Sequence, residues 1–293
     1  MPDKHHDWLS QRVQNLESMI VVGDKKNKHT TTIFENYSLG ANTNRDAWCY
    51  SASRSQLGEQ MGKMINIYNS ELLSGVTAEK ATHESDLIKW SSSLVSSFER
   101  GKKGVFDKSC SVVAVYRPFM KQWLYFDSMF VHRMSQLPKI FPNADAENLV
   151  IHISGVGARS GFSVLISDCI PDIQHHDNGQ CFPLYLYEES EGESSSESEL
   201  FASVAGSESG RFTRRAGISD AALTHFQKAY PGVPFTKEDL FYYIYGLLHS
   251  PDYRSRYADN LGKELPRIPA VKTFADFRAF SQAGRELAHW HLE

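Results

Sequence analysis

The stretch that decides the fold class is Asn148–Ser167, NLVIHISGVGARSGFSVLIS, in which a glycine-rich loop separates two apolar runs. Both runs are rich in β-branched residues, which favours two strands joined by a loop. Gly155, Gly157 and Gly161 have a spacing that resembles a dinucleotide-binding turn. The helix that such a turn requires is missing, because FSVLIS after the glycines alternates as a strand. We therefore predict a strand-loop-strand unit that presents Arg159.

Two further strands are expected before this unit. The runs SCSVVAVY (109–116) and KQWLYF (121–126) are rich in β-branched or aromatic residues, which is typical of strands. Helices are expected earlier in the chain. Ser53 is a suitable N-cap for a helix whose apolar residues repeat on one face, and a second helix is expected over about 84–100, ending at Gly101.

The C-terminal part of the chain has the pattern of helices. Ser219, Thr236 and Thr273 each precede a run with helical periodicity, and Ser or Thr at such a position accepts a hydrogen bond from a free backbone N–H of the first turn. The predicted fold class is therefore α+β, or α/β, with a mixed α/β part followed by a small helical C-terminal part.

Acidic charge is concentrated in one segment. Residues 188–210 hold seven Glu and no basic residue, whereas the net charge of the whole chain is -4. Having few large apolar residues, this segment cannot offset its ordering entropy by burial. We predict a mixed α/β domain over 1–187, an acidic Ser/Glu-rich linker over 188–215 and a helical subdomain over 216–293.

The composition is that of an ordinary globular protein, with 41% hydrophobic and 23% charged residues. The longest nearly unbroken apolar run, Leu240–Leu248, has nine residues, far fewer than the ~20 needed to cross a bilayer. The first residues, MPDKHHDW, lack the apolar region of a secretory signal. A cytoplasmic location without membrane contact is expected. The four cysteines include no CxxC pair, which argues against a disulfide framework.

Motifs for catalysis and cofactor binding are missing from the sequence. It contains no GxxxxGK(S/T) phosphate loop, no DEAD-like acidic motif, no (N/D)PPY tetrad and no GxSxG elbow. We find no complete set of catalytic residues. The sequence therefore predicts a protein without catalysis and without a cofactor of its own.

One loop carries several groups that bind metals. Cys169 and Cys181 flank the run IPDIQHHDNGQ, so that His175, His176 and Asp177 could form a metal site together with the two thiols. Structural zinc sites usually have short paired spacings, whereas these residues are spread over one loop. A metal-dependent nuclease that uses the Cys169–Cys181 loop is kept as an alternative function.

The stretch Tyr116–Phe126, YRPFMKQWLYF, combines cations with aromatic rings. If it is extended, the alternation of a strand places Arg117, Lys121 and Trp123 on one face. Cations neutralise phosphate and rings pack on sugar or base, so this face suits a nucleic acid. The alternative is an edge strand with core aromatics and solvated cations, and Pro118 favours an edge or a break in the strand.

Several long motifs in this chain resemble the C-terminal specificity region of type ISP restriction-modification enzymes. They cover almost the whole chain outside the acidic segment. In chain order they read DWLSQR, VVGDKKNKHT, SLGANTNRDAWCY, YRPFMKQWLYFD, LPKIFP, LVIHISGVGARSGFSVLISDCIPD, DNGQCFPLYLY and FTKEDLFYYIYGLLHSPDYRSRYADNLGKELPRIP. Members of this family join a nuclease, an ATP-driven helicase-like translocase, an adenine-N6 methyltransferase and a target-recognition domain. The chain resembles only the last of these.

The resemblance implies sequence-specific reading of duplex DNA, which positions an adenine for methylation and licenses ATP-dependent restriction by modules absent from this chain. The expected partners are duplex DNA and the methyltransferase and helicase-like modules of the parent polypeptide. The residues that we assign to phosphate and stacking contacts are Lys25, Lys26, Lys28, Arg117, Lys121, Trp123, Arg133 and Lys139. Those that we assign to base edges are Asn44, Arg45, Arg159 and Gln180.

Three alternatives stay open at this point. Arg45 and Asp46 could form a local ion pair that holds the turn before a helix, instead of reading a base. The acidic segment could act as a mimic that occupies a basic groove in the absence of DNA. The whole chain could be a protein-interaction module that docks a methyltransferase, and this function predicts no salt-dependent affinity for DNA.

Overall fold

The computed structural model describes residue 16 and residues 18–27, 29–84, 88–189 and 212–293. The strands in this part of the chain are β1 Ile20–Val21, β2 Ser38–Leu39, β3 Tyr50–Ser51, β4 Ser111–Arg117, β5 Met120–Tyr125, β6 Val150–Ile153, β7 Val164–Ser167, β8 Ile170–Pro171, β9 Gln180–Pro183, β10 Tyr185–Glu189, β11 Phe212–Ala216 and β12 Arg267–Ile268. The helices are α1 Asp46–Cys49, α2 Arg54–Leu73, α3 Ala78–Glu84, α4 Ser92–Glu99, α5 Asp220–Ala229, α6 Lys237–His249, α7 Pro251–Arg256, α8 Ala258–Leu261 and α9 Phe274–Leu292.

Two four-stranded sheets organise the fold. The first has the order β2-β9-β6-β7, and all of its neighbouring strands are antiparallel. The second has the order β3-β5-β4-β8, in which only β4 and β8 are parallel. Two strand pairs, β1 with β12 and β10 with β11, complete the described strand pairing. The mixed α and β architecture predicted from the sequence is confirmed.

The sheet that contains β6 separates two hydrophobic cores. Ile151 and Ile153 belong to a core that they share with the C-terminal helices. Val150 belongs to a second core, together with Cys181, which is built around α2 and the β4-β5 hairpin. Successive side chains of a strand alternate between its faces, which explains why neighbouring residues of β6 enter different cores. His152 lies on the same face as Val150.

The first core joins segments from both sides of the acidic segment, because residues 20–34 and 151–184 share it with residues 218–288. The described ends of the predicted linker, 188–189 and 212–215, lie in the antiparallel strands β10 and β11. Residues 190–211 lie outside the described part of the chain. The division into 1–187, 188–215 and 216–293 stays a prediction.

Helices α6 and α9 pack closely because two glycines lie at their contact. A Cβ atom at Gly284 would lie 2.0 Å from the carbonyl oxygen of Tyr242, and one at Gly246 would lie 2.3 Å from the carbonyl oxygen of Phe280. The hydroxyl of Ser281 also donates to the carbonyl oxygen of Asp239 at 2.9 Å. The two backbones therefore approach each other to a distance that only glycine allows.

The predicted N-caps are confirmed. The side chains of Ser53, Ser219, Thr236 and Thr273 each accept a backbone hydrogen bond in the first turn of the following helix. The expected strand-loop-strand unit is confirmed as well, since β6 and β7 form an antiparallel pair around the glycine loop. This pairing leaves no helix after the glycines, which removes the dinucleotide-binding alternative.

One local prediction was wrong. The helix expected over 84–100 is limited to Ser92–Glu99, because Ser91 is in extended backbone and begins the helix there. The stretch Tyr116–Phe126, for which a single extended segment was one possibility, forms the end of one strand and a second strand. It reverses at Phe119, which has a positive φ of 61°, so that Arg117 in β4 pairs with Met120 in β5. Within the described residues, no helix combines the length and apolar character needed to cross a membrane.

Candidate nucleic-acid interface

Two loops face each other across an open cleft of about 630 Å³, which we call the amide cleft. One loop leads into α1, and the other follows β8. Four of its lining residues carry a side-chain amide and two carry an acidic group. The complete lining is Asn42, Thr43, Asn44, Arg45, Asp46, Ala47, Trp48, Lys89, Asp172, Ile173, Gln174 and Asn178. Side-chain amides both donate and accept hydrogen bonds, so the cleft is chemically suited to the edge of a polar ring system.

Backbone hydrogen bonds fix the two loops to each other. The N–H of Ala41 donates to the carbonyl oxygen of Pro171 at 2.8 Å, and the N–H of Ile173 donates to that of Ala41 at 2.9 Å. On the other side, Asn42 and Arg133 exchange two backbone hydrogen bonds of 3.1 and 2.9 Å. The cleft is therefore built on paired backbone rather than on free loops, which favours a site with a fixed shape.

Two of the amide residues occupy the left-handed backbone region. Asn44 has a φ of 58° and Asn178 a φ of 56°. Asparagine is one of the few non-glycine residues that tolerate this conformation. The backbone N–H of Asn44 donates to Oδ1 of Asn42 at 3.1 Å, which fixes this turn locally. Backbone geometry alone thus favours asparagine at positions that line the cleft.

Asp172 is buried at the base of the amide cleft and connects it to the second sheet. Its carboxylate accepts hydrogen bonds from the hydroxyl of Tyr50 at 3.1 Å, Nη1 of Arg117 at 2.9 Å and the backbone N–H of Gln174 at 2.8 Å. Burial raises the pKa of Asp172 to about 6, and the Gln174 N–H opposes this rise. The negative charge present at neutral pH is thus held by Arg117.

Arg117, expected to contact phosphate, is partly engaged inside the protein. Besides Asp172, its guanidinium lies 3.8 Å from Asp46 and 3.8 Å from the centre of the Tyr116 ring. About a third of the side chain, 37%, stays exposed. Arg117 therefore contributes to the structure of the cleft, whatever further contact it makes.

The assignment of Arg45 to a base edge was wrong. Arg45 is 2% exposed. Its Nε donates to the carbonyl oxygen of Lys89 at 3.1 Å, and its other nitrogens donate to the carbonyl oxygen of Phe130 and to the hydroxyl of Ser91. No ion pair forms between Arg45 and Asp46 among the described contacts, so the alternative role was also wrong. The guanidinium is an internal cross-link, because a buried cation must have all of its donors satisfied.

Three exposed cations lie in the lining of the amide cleft or in segments bound to it. Arg133 is held next to the cleft by its backbone pairing with Asn42. Lys89 lines the cleft directly. Arg159 adjoins it through its backbone N–H, which donates to Oδ2 of Asp177 at 2.8 Å. Within the described part of the chain none of these three side chains forms a salt bridge. Their charges are therefore available to an anionic partner.

Sequence reasoning did not identify Lys89 as a residue of the site. It lies in the segment that was expected to be helical, where its position relative to Asn44 could not be inferred. The structure brings it to the cleft because Arg45 binds its carbonyl oxygen. Gln174 and Asn178 were also missed, although both flank the HHD run that was considered only as a metal site.

Other predicted contact residues lie away from the amide cleft or are engaged. Nζ of Lys25 donates to the carbonyl oxygen of Tyr37 at 2.6 Å, and Nζ of Lys121 pairs with Asp168 at 2.9 Å. The ring of Trp123 is covered by the guanidinium of Arg54 at 4.9 Å. Each of these three side chains therefore has a partner within the protein, without a nucleic acid.

Lys26 and Lys139 are exposed, the latter in the short 3-10 turn Leu137–Lys139. Gln180 lies in β9, and its buried Oε1 has no hydrogen-bond partner among the described residues. Lys28 lies outside the described residues. Each of these assignments to DNA stays a prediction.

The metal set expected in the Cys169–Cys181 loop is not brought together. Asp177 instead accepts the N–H of Arg159. His175 and His176 do meet in space, and their third partner is His152 of β6. Sequence reasoning missed His152 because it lies 23 residues before His175 and outside the loop.

Comparison with known proteins identifies relatives of this chain. The family model described as the Type ISP C-terminal specificity domain matches residues 32–293. Comparison with curated proteins finds no significant match.

Three solved structures are similar over the whole chain. The ATP-dependent Type ISP restriction-modification enzyme LlaBIII bound to DNA is 29% identical with a TM-score of 0.84, and the match covers 100% of this chain and 18% of that one. The DrdV-DNA complex is 31% identical with a TM-score of 0.84, covering 100% and 27%. A nuclease-deletion mutant of the Type ISP enzyme LlaGI with a DNA substrate mimic is 29% identical with a TM-score of 0.78, covering 100% and 21%.

The chain thus spans between about a fifth and just over a quarter of the length of these relatives. The family match extends over nearly all of the described residues, including both sheets and the C-terminal helices. The resemblance noted in the sequence is confirmed, and the chain belongs to the Type ISP C-terminal specificity domain family.

Proposed function

We propose that this chain is a sequence-specific reader of duplex DNA, with the amide cleft at the bases and the exposed cations at the phosphates. The observation that carries the proposal is the position of the cleft. Its amide side chains line a concave site together with Lys89, and the backbones of Arg133 and Arg159 are bound to the segments that form it. None of these three cations forms a salt bridge with a described residue.

The chemistry of the cleft fits base edges. The amide of Asn or Gln can bond adenine N6 and N7 at once, and an arginine can bond guanine O6 and N7. Asn44 and Asn178 supply the amides, and Arg159 is the exposed arginine beside them. Phosphate contacts by Lys89 and Arg133 would set the orientation of the duplex without carrying sequence information.

Relatives support the same function. The LlaBIII and DrdV structures are complexes with DNA. Because this chain matches only a fraction of those enzymes, we propose that it acts as one module of a larger enzyme. The nuclease, the ATP-driven translocase and the adenine methyltransferase would be supplied by other modules of the parent polypeptide. In this proposal the chain itself has no catalytic role.

The experiment is selection from a randomised duplex pool with the purified chain at about 50 and about 200 mM salt, followed by sequencing of the retained DNA. We expect one enriched motif and an affinity that falls steeply with salt. Salt-dependent binding without enrichment would mean that phosphate contacts form while base reading fails.

Single cation variants test the arrangement. Arg133→Ala and Arg159→Ala should each weaken binding. Loss of the phosphate contact of Arg133 should also reduce the slope of log affinity against log salt by about 0.9. Lys272→Ala is the matched control, since Lys272 is an exposed cation of the helical part that does not line the cleft. Equal losses in all three variants would contradict a localised interface.

Absence of binding at both salt concentrations would contradict DNA reading by the isolated chain. That result would favour the alternative in which the chain docks a methyltransferase. Exposed Phe119 at the tip of the β4-β5 hairpin, 69% accessible, would then be the first residue to test for such a contact.

A further inference from the structure

We propose that His152, His175 and His176 form a binding site for one divalent transition-metal ion, with Zn²⁺ as the best match. The ion would connect strand β6 to the loop between β8 and β9. This proposal is independent of DNA binding, since it concerns three buried side chains beneath the surface rather than the amide cleft.

The three imidazoles are already gathered. One ring nitrogen from each residue lies within 4.8 Å of the other two. The ring centres are 4.7 Å apart for His152 and His175, 5.1 Å for His152 and His176, and 4.5 Å for His175 and His176. Zinc binds imidazole nitrogens at about 2.0–2.1 Å, so three nitrogens around a tetrahedral ion lie about 3.4 Å apart. Small movements of the rings would therefore be enough.

Protein hydrogen bonds do not account for this cluster. Nδ1 of His152 and Nδ1 of His175 lie 2.6 Å apart, and such a pair uses one proton for two nitrogens. Nε2 of His152 and Nε2 of His176 are buried without a hydrogen-bond partner among the described residues. His152 is 0% exposed and His176 8% exposed. Buried polar atoms are nearly always satisfied, so the unpartnered nitrogens point to a missing ligand.

The side-chain chemistry of the cluster selects among metal ions, because all three candidate ligands are imidazoles. Neutral imidazole is a good ligand for Zn²⁺, Cu²⁺ and Ni²⁺ and a poor one for Mg²⁺ or Ca²⁺.

The fold holds the three residues from two independent directions. His152 lies in the middle of the first sheet, paired with Leu165 of β7 and Cys181 of β9. His175 and His176 lie in the loop whose position is fixed by the backbone pairing of Ala41 with Ile173. Ligands placed on a rigid strand and a fastened loop need little ordering when a metal binds.

One of the three histidines borders a cavity. His175 lines a cavity of about 260 Å³ between the β4-β5 hairpin and the end of α9, together with Lys121, Asp168 and His291. An ion could enter there, and a water molecule from this cavity could supply the fourth ligand.

The test measures metal binding by the whole chain without DNA, so its outcome does not depend on the proposed function. The protein is stripped with chelator and titrated with ZnCl₂, CoCl₂ and MgCl₂. We expect one equivalent of Zn²⁺, visible Co²⁺ absorption typical of a tetrahedral site, and a rise in Tm of about 5 °C with saturating Zn²⁺ but not with Mg²⁺. Metal content after expression in zinc-supplemented medium is measured in parallel.

Variants assign the ligands. His176→Gln should weaken Zn²⁺ binding by at least about 100-fold, because even outer-shell partners of metals contribute 10- to 100-fold. His225→Gln is the control, as it removes one partly exposed imidazole outside the cluster. Circular dichroism checks that both variants fold. A stripped wild-type chain that binds neither Zn²⁺ nor Co²⁺ would overturn the proposal, as would equal affinities of the two variants.

Discussion

The amide cleft and the contact between α6 and α9 differ in whether their solvent-accessible arginines form salt bridges. In the helix contact, Arg285 pairs with Glu238 at 2.7 Å and Asp239 at 2.9 Å and lies over the ring of Tyr242. Around the cleft, Arg133 and Arg159 form no salt bridge with a described residue. The difference separates cations that stabilise the fold from cations that are available to a partner.

The two regions also differ in how closely their backbones pack. At the helix contact, Gly246 and Gly284 allow the backbones of α6 and α9 to touch, and no space remains for a ligand. At the cleft, Asn44 and Asn178 adopt the left-handed conformation that glycine would accept more readily, yet they retain an amide side chain. Close packing thus marks the scaffold and retained polar groups mark the candidate interface.

Arg45 provides the largest expected effect, because it lines the cleft and yet belongs to the scaffold. Arg45→Ala leaves the carbonyl oxygens of Lys89 and Phe130 and the hydroxyl of Ser91 without their donor. Each buried group left unsatisfied costs about 1–3 kcal/mol, so we expect a loss of about 4 kcal/mol in the free energy of unfolding. Urea denaturation measures it. Unchanged stability with reduced DNA affinity would restore Arg45 as a base contact.

The helix contact is tested by Gly284→Ala. A Cβ atom there would lie 2.0 Å from the carbonyl oxygen of Tyr242, so the helices must separate. We expect a loss of about 3 kcal/mol of stability from this overpacking. The control is Gly262→Ala, where the nearest atom, the carbonyl oxygen of Ala258, is 3.7 Å away. Similar melting temperatures for the two variants would contradict the close contact between α6 and α9.

The cleft is tested without disturbing its backbone by Asn178→Gly. Glycine accepts a φ of 56°, so the variant loses only the amide. We expect discrimination between the selected site and a mismatched site to fall by about 1–3 kcal/mol, at nearly unchanged stability. Ser135→Gly is the matched control, because Ser135 has a φ of 53° and does not line the cleft. If both variants discriminate equally well, Asn178 does not read bases.

The smallest effect concerns pH and the helical region. Burial lowers the pKa of His249 to about 4, with smaller contributions from the charges of Arg254 and His291. Its ring also packs against Tyr245. Since the folded pKa lies below the ordinary value of 6.5, the unfolded chain binds the extra proton and stability falls as pH decreases from 6.5 to 4.

His249→Gln removes this group, and we expect its free energy of unfolding to fall less between pH 6.5 and 4.5 than that of the wild type. Equilibrium denaturation at the two pH values gives both slopes. Identical slopes would contradict a lowered pKa of His249 in the folded state.

Much of the fold could be predicted from local sequence. The caps at Ser53, Ser219, Thr236 and Thr273 were predictable because an N-cap and its first turn are neighbours in the chain. The strand-loop-strand unit was predictable because two runs rich in β-branched residues flank a glycine-rich loop within twenty residues. The hairpin at Phe119 was not, since Pro118 indicated a break without saying that the chain reverses.

The sequence by itself determined the family, the capped helices and the strands, because each depends on residues close together in the chain. Only the tertiary structure decided that Arg45 is buried, that Lys89 joins the cleft and that His152 meets His175 and His176. These three facts depend on which strands and loops lie side by side. Such long-range pairing is set by the packing of the two cores, and no local pattern of residue types encodes it.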